Sequence, residues 1–255
     1  MEIPFTSIPP VAATAAAHDA LAGQPIDAVA QPAAGRRKAL LVADMDSTII
    51  NGETIDAMAA LTGQGDEVSA ITAAAMRGEL DFADSLRRRV ALFANQPDSL
   101  LQQVRDEIIT LNPGALALLA TMRAHGAHTV LVSGGFTLFT EYVAALAGFD
   151  DHQGNQVEIV DGRLTGEVVE PIINRDGKRR ALREIAAGRD ITNAAVLAVG
   201  DGANDLDMLA AAGLGVAYRA KLAIAEAASA RIDHADLTAL LYMQGYRADD
   251  IVAGP

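Results

Sequence analysis

The feature that constrains this chain most is a short apolar run that ends in acid. Ala39-Leu40-Leu41-Val42-Ala43 carries no polar side chain and runs straight into Asp44-Met45-Asp46-Ser47-Thr48. A brief apolar run without alternation suits a strand buried on both faces, the kind found in parallel sheets covered by helices. The theme returns twice. Thr129-Val130-Leu131-Val132 ends in Ser133-Gly134-Gly135, and Ala195–Val199 ends in Gly200-Asp201-Gly202-Ala203-Asn204-Asp205. Helical patterns lie near 114–125, 137–147 and 178–187, and residues 156–169 alternate about Gly162 as a β-hairpin does. Strands alternating with helices through short connections predict an α/β fold on a doubly wound parallel sheet. Ligands bind such sheets beyond the carboxyl ends of the strands, where all three polar signatures fall.

One stretch departs from the alternation. Residues 54–110 contain four helical patterns, near 54–62, 65–77, 81–95 and 97–109, and no strand-like run. They predict a helical insert in a core made of residues 36–53 and 111–255. Residues 1–35, rich in Ala and Pro, are expected to be a flexible leader or the remnant of another domain.

Composition narrows the function classes. A formal charge of −13 argues against non-specific nucleic-acid binding, which needs a basic surface. An acidic protein still binds a small phosphorylated molecule if a metal and a few local cations reverse the sign in the pocket. The absence of cysteine rules out disulfides, zinc fingers and thiol catalysis, and is compatible with a reducing cytoplasm. No apolar window reaches membrane-span length. The N-terminal stretch, broken by Pro4, Pro9 and Pro10, does not read as a secretory signal, so a cytoplasmic protein is expected.

Each signature has a chemical and a plain reading. Asp44 and Asp46, two apart on an extended chain, point to one side, where one carboxylate attacks and the other moves protons; the plain reading is a pair of turn-forming aspartates. Ser133 with Gly134 offers a hydroxyl and open amides to an anion, or makes a tight βα turn. Lys178 neutralises a transferring phosphoryl group, or is a solvated lysine. Asp201, Asn204 and Asp205 suit a hard cation such as magnesium, or cap a helix. In the insert, Phe82, Leu86, Arg89 and Phe93 share one helical face while Arg87 and Arg88 point elsewhere. Arg89 is then a carboxylate clamp or a snorkelling edge residue.

The order of the signatures resembles the haloacid-dehalogenase superfamily. Asp44-Met-Asp-Ser-Thr-Ile-Ile-Asn-Gly-Glu-Thr-Ile, Ser85-Leu-Arg-Arg-Arg-Val, Val132-Ser-Gly-Gly-Phe and Val199-Gly-Asp-Gly-Ala-Asn-Asp resemble its phosphoserine phosphatase family. The likeness covers residues 39–245 and leaves out the first 35. It implies a Rossmann-like core with an inserted helical cap. It also implies hydrolysis of a small phosphorylated amino acid, phosphoserine, to serine and phosphate, as the final step of serine biosynthesis. Asp44 would be the nucleophile that forms an aspartyl-phosphate, and Asp46 the acid and base. Ser133, Gly134 and Lys178 would hold the phosphoryl group. Magnesium would sit on Asp44, Asp201 and the Asp46 carbonyl, supported by Asn204 and Asp205. Arg89 would take the substrate carboxylate and Glu53 its ammonium, with Met76 and Phe82 as walls. Phosphohomoserine and phosphothreonine remain alternative substrates. Outside enzymes, a phospho-accepting receiver-like switch shares the acidic pocket, but it lacks a cap.

Overall fold

The computed structural model describes residues 1–254. In chain order its elements are α1 (Pro10–Ala20), β1 (Leu40–Ala43), α2 (Thr54–Thr62), α3 (Gly65–Met76), α4 (Phe82–Ala91), α5 (Ser99–Glu107), α6 (Ala115–Ala124), β2 (His128–Phe136) and α7 (Thr137–Ala147). There follow β3 (Asp151–Val160), β4 (Arg163–Val169), α8 (Arg175–Gly188), β5 (Val196–Gly200), α9 (Leu206–Ala211), β6 (Leu214–Tyr218), α10 (Leu222–Ala227), β7 (Ala230–Ile232) and α11 (Ala239–Met243).

One seven-stranded sheet, ordered β4-β3-β2-β1-β5-β6-β7, carries the molecule, and all its pairs are parallel except β3 with β4. β1 lies between β2 and β5, with Ala43 opposite both Leu131 and Val199. The three strands that end in polar signatures are therefore neighbours, and the chain reverses its winding direction at β1, where a ligand crevice opens. All four β1 residues are fully buried because both faces are covered. Leu41 and Ala43 join the core under α6 and α7, whereas Leu40 and Val42 join a second core with Ala181, Leu182, Met208 and Leu209 from α8 and α9.

The helices α2–α5 fall between β1 and β2. The third is shorter than expected. Asp81 caps α4 by accepting the Asp84 N–H at 2.8 Å, and the chain leaves the helix after Ala91. Asn95, at φ 66°, then donates its N–H to the Leu164 carbonyl, so residues beyond the helix are drawn onto β4. Phe93 is buried, but past the helix end. α8 starts earlier than expected. The Asn174 side chain accepts the Gly177 N–H at 3.0 Å, so Asp176-Gly177 belongs to the first turn and not to a loop.

The expectation of a flexible leader needs correction. Residues 10–20 are helical, and the Asp27 carboxylate accepts backbone N–H groups of Asp233, His234 and Ala235. The Gln31 amide donates to the Met243 carbonyl, and Val29 packs on the core. Sparse periodicity hid this segment because its attachments are polar caps and one apolar anchor. Among the described residues, no helix is long and apolar enough to cross a membrane.

Candidate active site

β1 delivers Asp44 to the sheet edge, and the next residues coil tightly instead of continuing the strand. Asp44 is extended (φ −71°, ψ 161°), but Ser47 adopts φ 54°, and the Ile50 N–H returns to the Met45 carbonyl. The simple alternation expected of an extended chain is thus corrected, although both carboxylates reach one cavity of about 120 Å³. The Asp46 carboxylate accepts the N–H of Thr54, the first residue of α2, at 2.9 Å. The Ser47 hydroxyl donates to Glu53 at 2.6 Å.

Lys178 stands behind Asp44. It is fully buried, with Nζ 2.6 Å from Asp44 Oδ1 and 2.7 Å from Asp205 Oδ1. Burial alone would lower its pKa, but the charges of Asp205 and Asp44 outweigh that and raise it, so the ammonium persists. Burial and the Asp205 charge push the Asp44 carboxyl well up, against the pull of Lys178. Burial and Glu53 push Asp46 up to about 7. Burial and Asp205 bring Asp201 to about 7 as well, although the Thr48 hydroxyl donates to it at 3.1 Å. Carboxylates so crowded call for a cation. Asp44, Asp201 and Asp205 each present an oxygen within 4.8 Å of the others. Asp205 already uses one oxygen on Lys178 and the other on the Gly202 N–H at 3.0 Å.

Close packing explains two glycines. A Cβ on Gly200 would lie 2.4 Å from Asp205 Cγ, and one on Gly134 would lie 2.6 Å from Phe82 Cζ. The second contact brings α4 against the end of β2. Phe82 and Arg89 line the cavity from that helix, together with Ser133 and Glu53. Burial lowers the Arg89 pKa while the charges of Asp56, Glu53 and Asp46 oppose it. Its one hydrogen bond among the described residues is a long one, to the Ser85 carbonyl at 3.4 Å.

The haloacid dehalogenase-like hydrolase family matches residues 41–210. The phosphoserine phosphatase of Streptomyces coelicolor is 46% identical over 241 residues, which cover 94% of this chain and 58% of that protein. The phosphoserine phosphatase of Lactococcus lactis is 41% identical over 212 residues, which cover 83% of this chain and 98% of that protein. This chain belongs to the phosphoserine phosphatase family of the haloacid dehalogenase-like hydrolases. Among solved structures, a phospho-aspartyl intermediate analogue of a phosphoserine phosphatase matches this family member with a TM-score of 0.75 at 36% identity. That match covers 81% of this chain and 98% of the other. The chain spans little more than half the length of the Streptomyces relative.

The cavity of this phosphoserine phosphatase family member gathers Asp44, Asp46, Glu53, Phe82, Arg89, Ser133, Gly134, Asp201 and Asn204, all singled out from sequence. Lys178 and Asp205 form the buried layer beneath. Met76 does not join them. It ends α3, is 63% exposed, and has its sulfur 3.4 Å from Lys221 Nζ. Its expected role as a pocket wall is corrected, because the last turn of α3 presents it to solvent. Ile55, which also lines the cavity, went unread because one apolar residue in an amphipathic helix carries no distinguishing signal. Thr48 stood inside the first signature, yet its partner Asp201 lies 153 positions away.

Proposed function

We propose that this chain is a magnesium-dependent phosphoserine phosphatase, releasing serine and phosphate through an aspartyl-phosphate on Asp44. The observation that carries the reading is that Glu53 and Arg89, of opposite charge, line the same small cavity as the Asp44–Asp46 pair. Phosphoryl chemistry needs only the latter pair, whereas opposite charges beside it suit a substrate bearing both an ammonium and a carboxylate. The hydrolase activity of the relatives, and the phospho-aspartyl analogue named above, support the same assignment.

In this reading Lys178, 2.6 Å from Asp44, opposes the burial and the Asp205 charge that push the Asp44 carboxyl up, and so favours the ionised nucleophile. Ser133 donates to a phosphoryl oxygen. Asp44 attacks phosphorus as the bond to the serine oxygen breaks. Asp46, with its carboxyl pushed up to about 7, still holds a proton near neutrality and gives it to that oxygen. It then takes a proton from the water that attacks the aspartyl-phosphate. Asp44 and Asp201 are hard oxygen donors that fit magnesium, with Asp205 close behind them. The Asp46 carbonyl would join them in holding it, supported by Asn204 and Asp205. When bound, the metal supplies the positive charge that lets an anionic nucleophile approach an anionic ester. Helices α2–α5 act as a cap that brings Arg89 to the substrate carboxylate and excludes water. Serine release would place the enzyme at the end of serine biosynthesis, in the cytoplasm.

A phosphate-release panel over phosphoserine, phosphothreonine, phosphohomoserine and a sugar phosphate tests this. Phosphoserine is expected to lead, with activity lost in chelator and restored by magnesium. A sugar phosphate turned over as fast as phosphoserine would contradict it.

A further inference from the structure

Asn155 lies buried on β3, at 1% exposure, and has no part in the steps above. Its amide nitrogen donates to the Gly134 carbonyl at 2.8 Å, and its side-chain oxygen accepts the Ile173 N–H at 2.7 Å. The Thr137 hydroxyl lies 3.1 and 3.2 Å from the backbone carbonyls of Gly154 and Asn155, so the backbone beneath the amide is itself held.

The peptide between Gly134 and Gly135 needs such a hold. With a glycine on each side, little steric resistance opposes rotation of the peptide plane. In a trans peptide the carbonyl and the N–H point in opposite directions. Fixing the Gly134 carbonyl on Asn155 therefore fixes the Gly135 N–H on the other side, where it donates to Ser133 Oγ at 2.8 Å. A serine hydroxyl has one hydrogen and two lone pairs. Once the Gly135 N–H fills a lone pair, the Ser133 hydrogen is left for another acceptor, and Ser133 borders the cavity. A rotated peptide would instead turn a carbonyl oxygen toward the phosphate. The other end of Asn155 holds Ile173, two residues before the α8 helix that presents Lys178.

We propose that Asn155 is a positioning residue for the phosphoryl site, pinning the Gly134–Gly135 peptide so that Ser133 faces the phosphate as a donor. This rests on the reading of the cavity as a phosphate-ester site, but not on the choice of phosphoserine. Asn155→Asp keeps an oxygen for the Ile173 N–H and sets an acceptor against the Gly134 carbonyl. It is measured on an aryl phosphate and on phosphoserine, with inorganic phosphate as inhibitor and with a melting curve. In a folded variant, kcat/KM on both esters is expected to fall about 10–100-fold, less than the roughly 100–1,000-fold of deleting a preorganised donor outright because Ser133 itself remains, with weaker inhibition by phosphate. In a Ser133→Ala background the same change is expected to cost less than about 3-fold, since residues acting through one another are non-additive. A merely structural role would give equal losses in both backgrounds, and that result overturns the proposal, as does full activity of Asn155→Asp with unchanged phosphate inhibition. If Asn155→Asp does not fold, Asn155→Ser, small enough to admit a water beside Ile173, is carried through the same cycle with the same criteria. A wild type that cleaves the aryl ester but not phosphoserine would refute the substrate assignment alone.

Discussion

At the scale of single residues, Arg89 separates a substrate clamp from a packing side chain. It lines the cavity and is half-buried, whereas Arg87, on another side of α4, is exposed and pairs with Asp84 at 3.1 Å and Glu170 at 2.5 Å. Truncating one member of a buried charge pair costs about 2–5 kcal/mol. Arg89→Ala is therefore expected to lower kcat/KM for phosphoserine about 100-fold or more, while hydrolysis of a small aryl phosphate stays near wild type. Arg87→Ala is expected to change neither. Matching small effects of the two variants on phosphoserine would leave Arg89 a snorkelling residue. The facing of Arg89 was legible in sequence because helical spacing puts it with Phe82 and Leu86. The exposure of Met76 was not, because whether a side chain at a helix end faces in or out depends on the turn that follows, here Arg77-Gly78.

At the scale of elements, strand ends carried most of the readable information. An apolar run cut off by acid or glycine marks both a buried strand and the site at its tip, so β1, β2 and β5 and their signatures were legible together. Helix starts were less so. The true start of α8 depends on Asn174 accepting the Gly177 N–H, a bond that makes an apparent Asp-Gly turn part of the helix. Asn174→Ala is expected to cost about 1 kcal/mol. That corresponds to a melting temperature roughly 2–4 °C lower for a chain of this size. Because α8 presents Lys178, kcat is expected to fall as well; an unchanged melting curve and kcat would show that the cap is dispensable. The end of α4 was illegible for a different reason, since hydrogen bonds to β4, remote in sequence, draw residues 95–98 off the helix.

At the scale of the whole molecule, the acidic cluster governs how stability depends on pH. Asp46 and Asp201 are held at about 7 in the fold, against an ordinary value of 3.8. The folded chain therefore binds more protons than the unfolded chain between those values. Their contribution is fully present below about pH 4 and is lost as pH rises through about 7. For the metal-free protein, melting curves of wild type and of Asp46→Asn/Asp201→Asn are compared at pH 5 and pH 8. The double variant is expected to gain stability relative to wild type on going from pH 5 to pH 8, and magnesium to raise wild-type stability at pH 8 by binding the folded state. A wild-type/variant difference independent of pH would contradict the raised carboxyl groups. The leader belongs to this scale too. Its Asp27 caps and its Val29 anchor are contacts made only by the folded whole, so no local pattern announced them.

Asp44 as a covalent nucleophile is tested most directly by trapping. Wild-type protein is mixed with ³²P-labelled phosphoserine and magnesium, quenched in acid during turnover, and its peptides are mapped. The expected result is a labelled acyl phosphate on Asp44, absent from Asp44→Asn, which also releases no phosphate. Full turnover with no label on Asp44, or an active Asp44→Asn variant, would contradict it.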